Sequence, residues 1–237
     1  MAHPLSGALR QGLLGLGLTL DEVAQAQLLA YMDLIAKWNK VYNLTAVRDA
    51  QEMLTHHLLD SLAVVAPLRR ELVKLAPPQG VSADPAEPHI TPVPAEASSP
   101  RYRLLDVGAG AGLPGVVIAI TCPEVSVTCV DTVAKKAAFV QQVAASLRLP
   151  NLRGLHARVE TLSGPFDVVC SRAFASLPDF TAWSVGALAP HGVWLAMKGK
   201  HPEAEIQALP PSVKVFQVEP LTVPGLNAER CIVWMRG

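Results

Sequence analysis

The sequence predicts an α/β fold in which helices flank a doubly wound, mostly parallel sheet. An apolar run that ends at Val107 is followed by a burst of glycines and a second apolar run, which is typical of a strand, a tight loop and a helix. Short runs rich in β-branched residues then alternate with helical segments, as in parallel sheets. The length of 237 residues is enough for one such domain and an additional element.

The individual elements follow from local patterns. The first strand ends at Val107, and Pro114 in the second apolar run suits the first turn of a helix. Further strands are predicted at residues 125–131, 152–157, 166–171, 192–197, 213–218 and 231–235, with helices at residues 134–149, 178–188 and 202–209. Ligands of such sheets bind beyond the carboxyl ends of the strands, so we expect the site at that edge.

The glycine-rich loop predicts a bound small molecule. Gly108, Gly110 and Gly112 allow positive φ angles and a close approach of the ligand to the backbone. Asp106 at the strand end would repel the pyrophosphate of a dinucleotide but would favour a cation. S-adenosylmethionine carries an ammonium and a sulfonium and no phosphate, so it fits this loop better than NAD does. The segment also matches the dinucleotide fingerprint, but in a register that begins two residues late, and Leu113 stands where that loop needs glycine.

Asp131 is the predicted ligand of the ribose. It ends the second strand 23 residues after Gly108, close to the spacing of the acidic residue that accepts hydrogen bonds from ribose hydroxyls in nucleotide-binding folds. The alternative is that Asp131 caps the helix predicted at residues 134–149.

Residues 1–75 predict an N-terminal helical cap. Residues 5–16 show apolar residues at helical spacing, although glycines weaken that pattern. A helix-start signal at residues 19–22 precedes an apolar stripe that reaches Trp38, and an ordered turn follows at residues 38–45. A further helix is predicted at residues 50–72. Its adjacent His56 and His57 cannot share the helix face that a metal pair needs, so a packing or capping role is expected.

Residues 76–100 contain seven prolines, three acidic residues and no lysine or arginine. Such a segment cannot form a helix or a central strand. We predict an exposed, mobile loop between the cap and the sheet domain at residues 101–237, all within one integrated globular unit. A polyproline ligand for a partner is the alternative, but single spaced prolines are more typical of a linker.

Composition excludes several classes of protein. No apolar run is long enough to span a membrane and the N-terminus lacks the pattern of an export signal, so a cytoplasmic protein is expected. The net charge of zero does not by itself suggest a nucleic-acid partner. The four cysteines are isolated in the sequence, which argues against a zinc site or a disulfide framework and predicts small buried hydrophobes. No metal is expected.

Several motifs together resemble the glucose-inhibited division protein B family, the guanine-N7 methyltransferases of bacterial small-subunit ribosomal RNA. The resemblance covers roughly residues 25–237, and residues 76–100 depart from it by their length. The motifs that carry it are Asn39-Lys-Val-Tyr-Asn-Leu-Thr45, His57-Leu-Leu-Asp-Ser-Leu62, Asp106-Val-Gly-Ala-Gly-Ala-Gly-Leu-Pro-Gly115, Ser171-Arg-Ala-Phe-Ala-Ser-Leu177 and Met197-Lys-Gly-Lys200.

The resemblance implies a class I, Rossmann-like methyltransferase that uses S-adenosylmethionine and methylates N7 of a guanine in 16S ribosomal RNA. It implies a small-subunit RNA or ribosomal subunit as partner, and we expect a monomer without membrane contact. The implied cofactor-binding residues are Gly108, Leu113, Asp131, Val159, Glu160 and Arg172, in addition to Asp106, Gly110 and Gly112 of the loop. The basic residues Arg158, Lys198 and Arg230 are candidate contacts to RNA phosphate or to the guanine.

The side chains need to do little chemistry in this reaction. Guanine N7 bears no proton, so its attack on a methyl group needs no general base, and alignment and electrostatics supply the rate. The sequence accordingly shows no pattern of a catalytic triad. The alternatives are a methyltransferase that acts on a small molecule or a protein, a non-catalytic S-adenosylmethionine-binding module and, least favoured, an NAD-dependent oxidoreductase.

Overall fold

The computed structural model describes residues 3–75 and 100–237, and it confirms the predicted fold class. The predicted proline-rich loop, apart from Pro100, lies outside the described residues. The N-terminal segment is helical. Its helices are α1 (Ser6–Gly15), α2 (Glu22–Tyr42), α3 (Ala50–Met53), a π-helical turn at Leu54–Leu59, α4 (Asp60–Leu62) and α5 (Val65–Leu75).

Within the described residues, seven strands form the sheet, and helices or helical turns separate most of them. The strands are β1 (Tyr102–Val107), β2 (Val125–Asp131), β3 (Leu152–His156), β4 (Phe166–Arg172), β5 (Leu188–Lys198), β6 (Lys214–Leu221) and β7 (Arg230–Arg236). The helices are α6 (Gly115–Thr121), α7 (Ala134–Ser146), α8 (Leu177–Ser184) and α9 (Glu203–Gln207), with 3-10 turns at Val159–Thr161 and Val185–Ala187.

The strand order is β3-β2-β1-β4-β5-β7-β6. The first five strands of this order are mutually parallel, whereas β7 runs antiparallel to both of its neighbours. The order in which successive strands join the sheet reverses between β1 and β4, and doubly wound sheets bind their ligands at such a point. Because β7 is antiparallel, its first residue, Arg230, lies at the same edge as the carboxyl end of β5.

Alternate side chains of the strands enter two hydrophobic cores. On β1, Leu104 faces a larger core that includes residues of the N-terminal helices, α6 and α7, whereas Leu105 faces a smaller core that includes residues of α8. All four cysteines are buried and unpaired, which confirms that they act as small hydrophobes. The N-terminal helices therefore share a core with the sheet.

The structure corrects several predicted boundaries. Helix α2 begins where predicted, with the Asp21 carboxylate accepting a hydrogen bond of 2.7 Å from Ala24 N, but it continues to Tyr42. It ends at Asn43, which has a φ of 50°. The single helix predicted at residues 50–72 is wrong, since a π-helical turn and a break after Leu62 divide it. Strand β5 begins four residues earlier than predicted.

Candidate functional site

The loop after β1 needs its glycines. Gly108, Gly110 and Gly112 have φ angles of 66°, 59° and 89°, which L-residues rarely adopt. A Cβ atom at Gly108 would overlap the ring of Phe174, and one at Gly112 would lie 2.5 Å from Val116 Cγ2. At Gly110 the added atom would meet only Gly108 O, at an ordinary contact distance of 3.9 Å. The loop therefore approaches its surroundings at two glycines and leaves room beside the third.

Asp106 is placed differently from the prediction. Its side chain is fully buried beneath the loop, and Oδ2 accepts a hydrogen bond of 2.8 Å from Gly115 N at the start of α6. Burial raises the pKa of Asp106 to about 7, although the hydrogen bond from Gly115 opposes that shift. No surface of this carboxylate is accessible, so the expectation of a direct cofactor contact is corrected. Its role here is to support the loop.

Asp131 lines a cleft of about 480 Å³, which we call the Asp131 cleft. Its Oδ2 accepts a hydrogen bond of 3.0 Å from Gly110 N, and its Oδ1 accepts one of 2.8 Å from Val133 N. The N-cap of α7 is Val133, two residues after Asp131, so the alternative role of Asp131 as the cap of this helix is wrong. The cleft is lined by Gly108, Asp131, Lys136, Arg158, Val159, Glu160, Ala173, Phe174, Trp183 and five further residues.

Arg158 and Glu160 form an exposed ion pair of 3.1 Å at the rim of the Asp131 cleft. Hydrogen bonds from its own backbone amide and from Arg158 lower the pKa of Glu160. Arg158 therefore groups with Asp131 and Val159, and the structure does not bring it together with Lys198 and Arg230, the other two basic candidates.

A second cleft, of about 600 Å³, lies on the other side of Gly108 and is called the Arg172 cleft. Gly108 and Ala173 line both clefts, so the two are neighbours across the loop. The Arg172 cleft also brings together many of the predicted site residues. Its lining includes Thr45, His56, His57, Asp60, Gly110, Leu113, Arg172, Met197, Lys198 and Arg230.

The cationic groups of the Arg172 cleft are held by acidic partners. Arg172 NH1 donates to Asp60 Oδ2 at 2.9 Å, and Arg230 Nε donates to Asp60 Oδ1 at 2.9 Å. Lys198 Nζ donates to Glu205 Oε2 at 2.7 Å and to Ala175 O at 3.0 Å. Each cation is thus fixed in place while it still lines the cleft.

His57 connects the N-terminal helices to the same cleft. Its Nε2 lies 2.6 Å from Thr45 Oγ1, and the Thr45 amide donates to Asn39 Oδ1 at 3.0 Å. Burial lowers the pKa of His57, and the nearby Arg172 guanidinium lowers it further. The contact of Nε2 with Thr45 is consistent with the predicted packing role, and Nδ1 is buried without a hydrogen-bond partner among the described residues.

Two functional groups were missed by sequence reasoning. Tyr31 in α2 is fully buried, and its hydroxyl donates a hydrogen bond of 2.6 Å to Ala111 O in the glycine-rich loop. Asp60, buried in α4, binds two of the predicted arginines. Its place in the motif His57-Leu-Leu-Asp-Ser-Leu62 was the only signal, since an acidic residue in a mostly apolar helical stretch needs a partner.

The described residues contain no group of His, Cys, Asp and Glu side chains arranged to hold a metal ion. None of the helices formed by residues 3–75 and 100–237 has the length and apolar character needed to cross a membrane.

Comparison with known proteins gives one consistent result. A family model described as "rRNA small subunit methyltransferase G", also named GidB, matches residues 24–75 and 91–233. The chain belongs to this family. Of residues 76–100, which were predicted to depart from the family pattern, residues 76–90 fall between the matched ranges and residues 91–100 lie within the second one.

Curated members of the GidB family are similar over almost their whole length. The ribosomal RNA small subunit methyltransferases G of Acidovorax sp. strain JS42 and Acidovorax ebreus are each 65% identical, over 97% and 98% of this chain and 94% and 95% of theirs. That of Paracidovorax citrulli is 63% identical over 99% of this chain and 91% of its own. Among solved structures, TrmN from Thermus thermophilus is 19% identical with a TM-score of 0.48, covering 59% of this chain and 45% of that chain.

Membership of the GidB family makes this chain a methyltransferase of small-subunit ribosomal RNA, with S-adenosylmethionine as its methyl donor. The recognition made from the sequence motifs is thereby confirmed. The residues that hold the donor are a separate question. Of those implied by the resemblance, Asp131, Val159 and Glu160 line one cleft, Leu113 and Arg172 line the other, and Gly108 lines both.

Proposed function

We propose that this enzyme transfers the methyl group of S-adenosylmethionine to N7 of a guanine in 16S ribosomal RNA. One observation carries the choice of acceptor atom: the buried acid–base groups of the Arg172 cleft present no accessible base. Both Asp60 oxygens accept hydrogen bonds from arginines, the Nε2 atom of His57 contacts Thr45, and the Nδ1 atom of His57 has no partner among the described residues but is buried. A nitrogen that bears no proton needs neither group as a base, and guanine N7 is such an atom.

The donor is proposed to lie across the glycine-rich loop. Asp131 would accept hydrogen bonds from the ribose hydroxyls through lone pairs that Gly110 N and Val133 N leave available. Val159 and Glu160 would border the adenine in the same cleft. Gly108 would let the methionine part pass into the Arg172 cleft, where Leu113 and Arg172 would contact it. The two clefts and the shared glycine support this arrangement.

The acceptor is proposed to enter the Arg172 cleft from the side of Lys198 and Arg230. The edge of guanine that carries N7 is inaccessible in A-form RNA, so the target base must be unpaired or extruded. Arg230 directs Nε and NH1 to Asp60 Oδ1 and Glu229 O, and no contact within the described residues uses its NH2. This guanidinium is therefore suited to an RNA phosphate or to guanine O6.

The test is identification of the methylated nucleoside. Purified enzyme is incubated with labelled S-adenosylmethionine and either naked 16S ribosomal RNA or the assembled small subunit, and the RNA is digested to nucleosides. We expect 7-methylguanosine as the labelled product of at least one substrate. A different methylated nucleoside would overturn the assignment of N7, and efficient transfer to a small molecule or a protein instead would favour the alternative substrate classes.

His56 provides a second test of the acceptor atom. His56 is exposed at the rim of the cleft, and among the described residues only its Nδ1 has a partner, Glu52 O at 3.1 Å. If the acceptor has no proton to lose, His56→Ala keeps kcat within about twofold of the wild type. A loss of about 100-fold in kcat, within the range of general-base contributions, would instead indicate an acceptor that must be deprotonated.

We also propose that the enzyme acts as a monomer in the cytoplasm. The four free, buried thiols are consistent with a reducing compartment. Light scattering of the purified protein tests the first proposal and cell fractionation tests the second. A dimeric mass or an exported protein would contradict them.

A further inference from the structure

The Arg172 cleft contains one acidic side chain that serves two cations. Asp60 has only 3% of its surface exposed, and each of its carboxylate oxygens accepts one hydrogen bond of 2.9 Å, from Arg172 at the end of β4 and from Arg230 at the start of β7. His56 O, from the π-helical turn that precedes Asp60, accepts a further hydrogen bond of 3.2 Å from Arg172. The carboxylate thus ties the N-terminal helices to two strands of the sheet.

We propose that Asp60 is a positioning residue of the methyl-transfer site, acting on bound molecules through Arg172 and Arg230. Two guanidinium groups that share one partly buried cleft repel each other, and a carboxylate between them offsets that repulsion by attracting both. The contacts also fix which donors face the cleft. Arg172 uses only NH1 for Asp60 and His56, so its Nε and NH2 are free of partners within the described residues. The NH2 atom of Arg230 is likewise free of partners within the described residues.

The local helix geometry supports this role. Residues Leu54–Leu59 form a π-helical turn directly before Asp60. Such turns are rare in proteins, and those that occur are often found at functional sites. A π-helical turn changes the helical phase of the residues that follow it. Here it accompanies an arrangement in which the backbone of His56 and the side chain of Asp60 reach the same guanidinium.

Glu71 provides a matched comparison within the same chain. It is also 3% exposed, and its two oxygens accept hydrogen bonds of 2.8 Å from Arg236 at the end of β7 and from Lys74. Like Asp60, it joins an N-terminal helix to β7 through a buried carboxylate, but it lines neither cleft. The two residues therefore share a structural role, and only Asp60 can act on the site.

The test compares Asp60→Asn with Glu71→Gln, which both remove a charge and preserve size. The assignments of Arg230 to RNA and of Arg172 to the donor rest on the proposed function, whereas the use of S-adenosylmethionine as donor does not. For Asp60→Asn we expect about tenfold weaker donor binding by calorimetry and about a tenfold higher KM for RNA, because displaced arginines lose their alignment. For Glu71→Gln we expect both values within about twofold of the wild type and a lower melting temperature.

Double variants separate positioning from general destabilisation. In an Arg172→Ala background, Asp60→Asn should no longer weaken donor binding, and in an Arg230→Ala background it should no longer raise the KM for RNA, because contacting residues are non-additive. Equal losses on every background, or an Asp60→Asn enzyme that behaves like Glu71→Gln, would overturn the proposal. If Asp60→Asn does not fold, Asp60→Glu moves the carboxylate by one methylene and should show the same pattern with smaller losses.

Failure of the proposed function would be distinguishable. If the wild type methylates no guanine at N7, the choice of acceptor is wrong, but the donor titrations on the Asp60 and Arg172 variants still decide whether Asp60 positions that arginine.

Discussion

The hydrogen bond between Tyr31 and Ala111 links an N-terminal helix to the loop that is proposed to hold the donor. The variant Tyr31→Phe removes only the hydroxyl, because the ring can keep its packing against Phe139 at 6.5 Å between centroids. The Ala111 carbonyl then loses a partner at 2.6 Å in a fully buried place. Leaving such a group unsatisfied costs about 1–3 kcal/mol of the free energy of unfolding.

The expected loss is measurable. In a chain of this size, about 1–3 kcal/mol lowers the melting temperature by roughly 2–12 °C. Donor affinity should also fall several-fold, because Ala111 lies between Gly110 and Gly112. Calorimetric unfolding and titration with S-adenosylmethionine measure the two effects. The control is Tyr42→Phe on the same helix, where the side chain is 36% exposed and packs on Trp38.

The reasoning fails if Tyr31→Phe and Tyr42→Phe have the same melting temperature and donor affinity. A loss of stability without any change in donor affinity would support the stabilising role of the buried hydrogen bond but refute its link to donor binding by the loop.

Three further predictions concern the clefts, and a fourth concerns the buried Asp106. Gly108→Ala should abolish donor binding in calorimetry, because its φ of 66° and the Phe174 ring leave no room for a methyl group. Asp131→Ala should weaken donor binding about tenfold or more, and an unchanged affinity would refute the ribose assignment. Arg230→Ala should lower the salt slope of RNA binding by about one unit. Because the pKa of Asp106 is raised to about 7, the stability that its protonated form contributes is lost as pH rises through 7. This loss lowers the free energy of unfolding in urea at about pH 8 relative to about pH 5, and Asp106→Asn should remove it.

Local patterns were sufficient to predict most of the fold. Strands β2 and β4 lie within one residue of their predicted bounds, because runs of β-branched residues between turn signals have few alternatives. Asp21 marked the start of α2 for the same kind of reason, since its side chain caps a backbone amide nearby in sequence. The glycines after β1 predicted a tight loop, which three positive φ angles confirm.

Contacts between residues that are far apart in the sequence could not be predicted from local patterns. Asp60 lies 112 residues from Arg172 and 170 residues from Arg230, and Tyr31 lies 80 residues from Ala111. Nothing local distinguishes Tyr31 from the apolar residues around it, and the π-helical turn has no sequence period of its own. The direct role predicted for Asp106 failed for a related reason, because burial depends on how the loop and α6 cover the strand end.

The most direct test of the central claim is a map of N7-methylated guanines in 16S ribosomal RNA from cells with and without this protein. Reduction and aniline cleavage of the RNA chain at such nucleotides shows each modified position. We predict one cleavage that disappears when the protein is deleted, returns with the wild-type chain and does not return with Gly108→Ala. An unchanged cleavage pattern after deletion, in cells without a second enzyme for that position, would contradict the account.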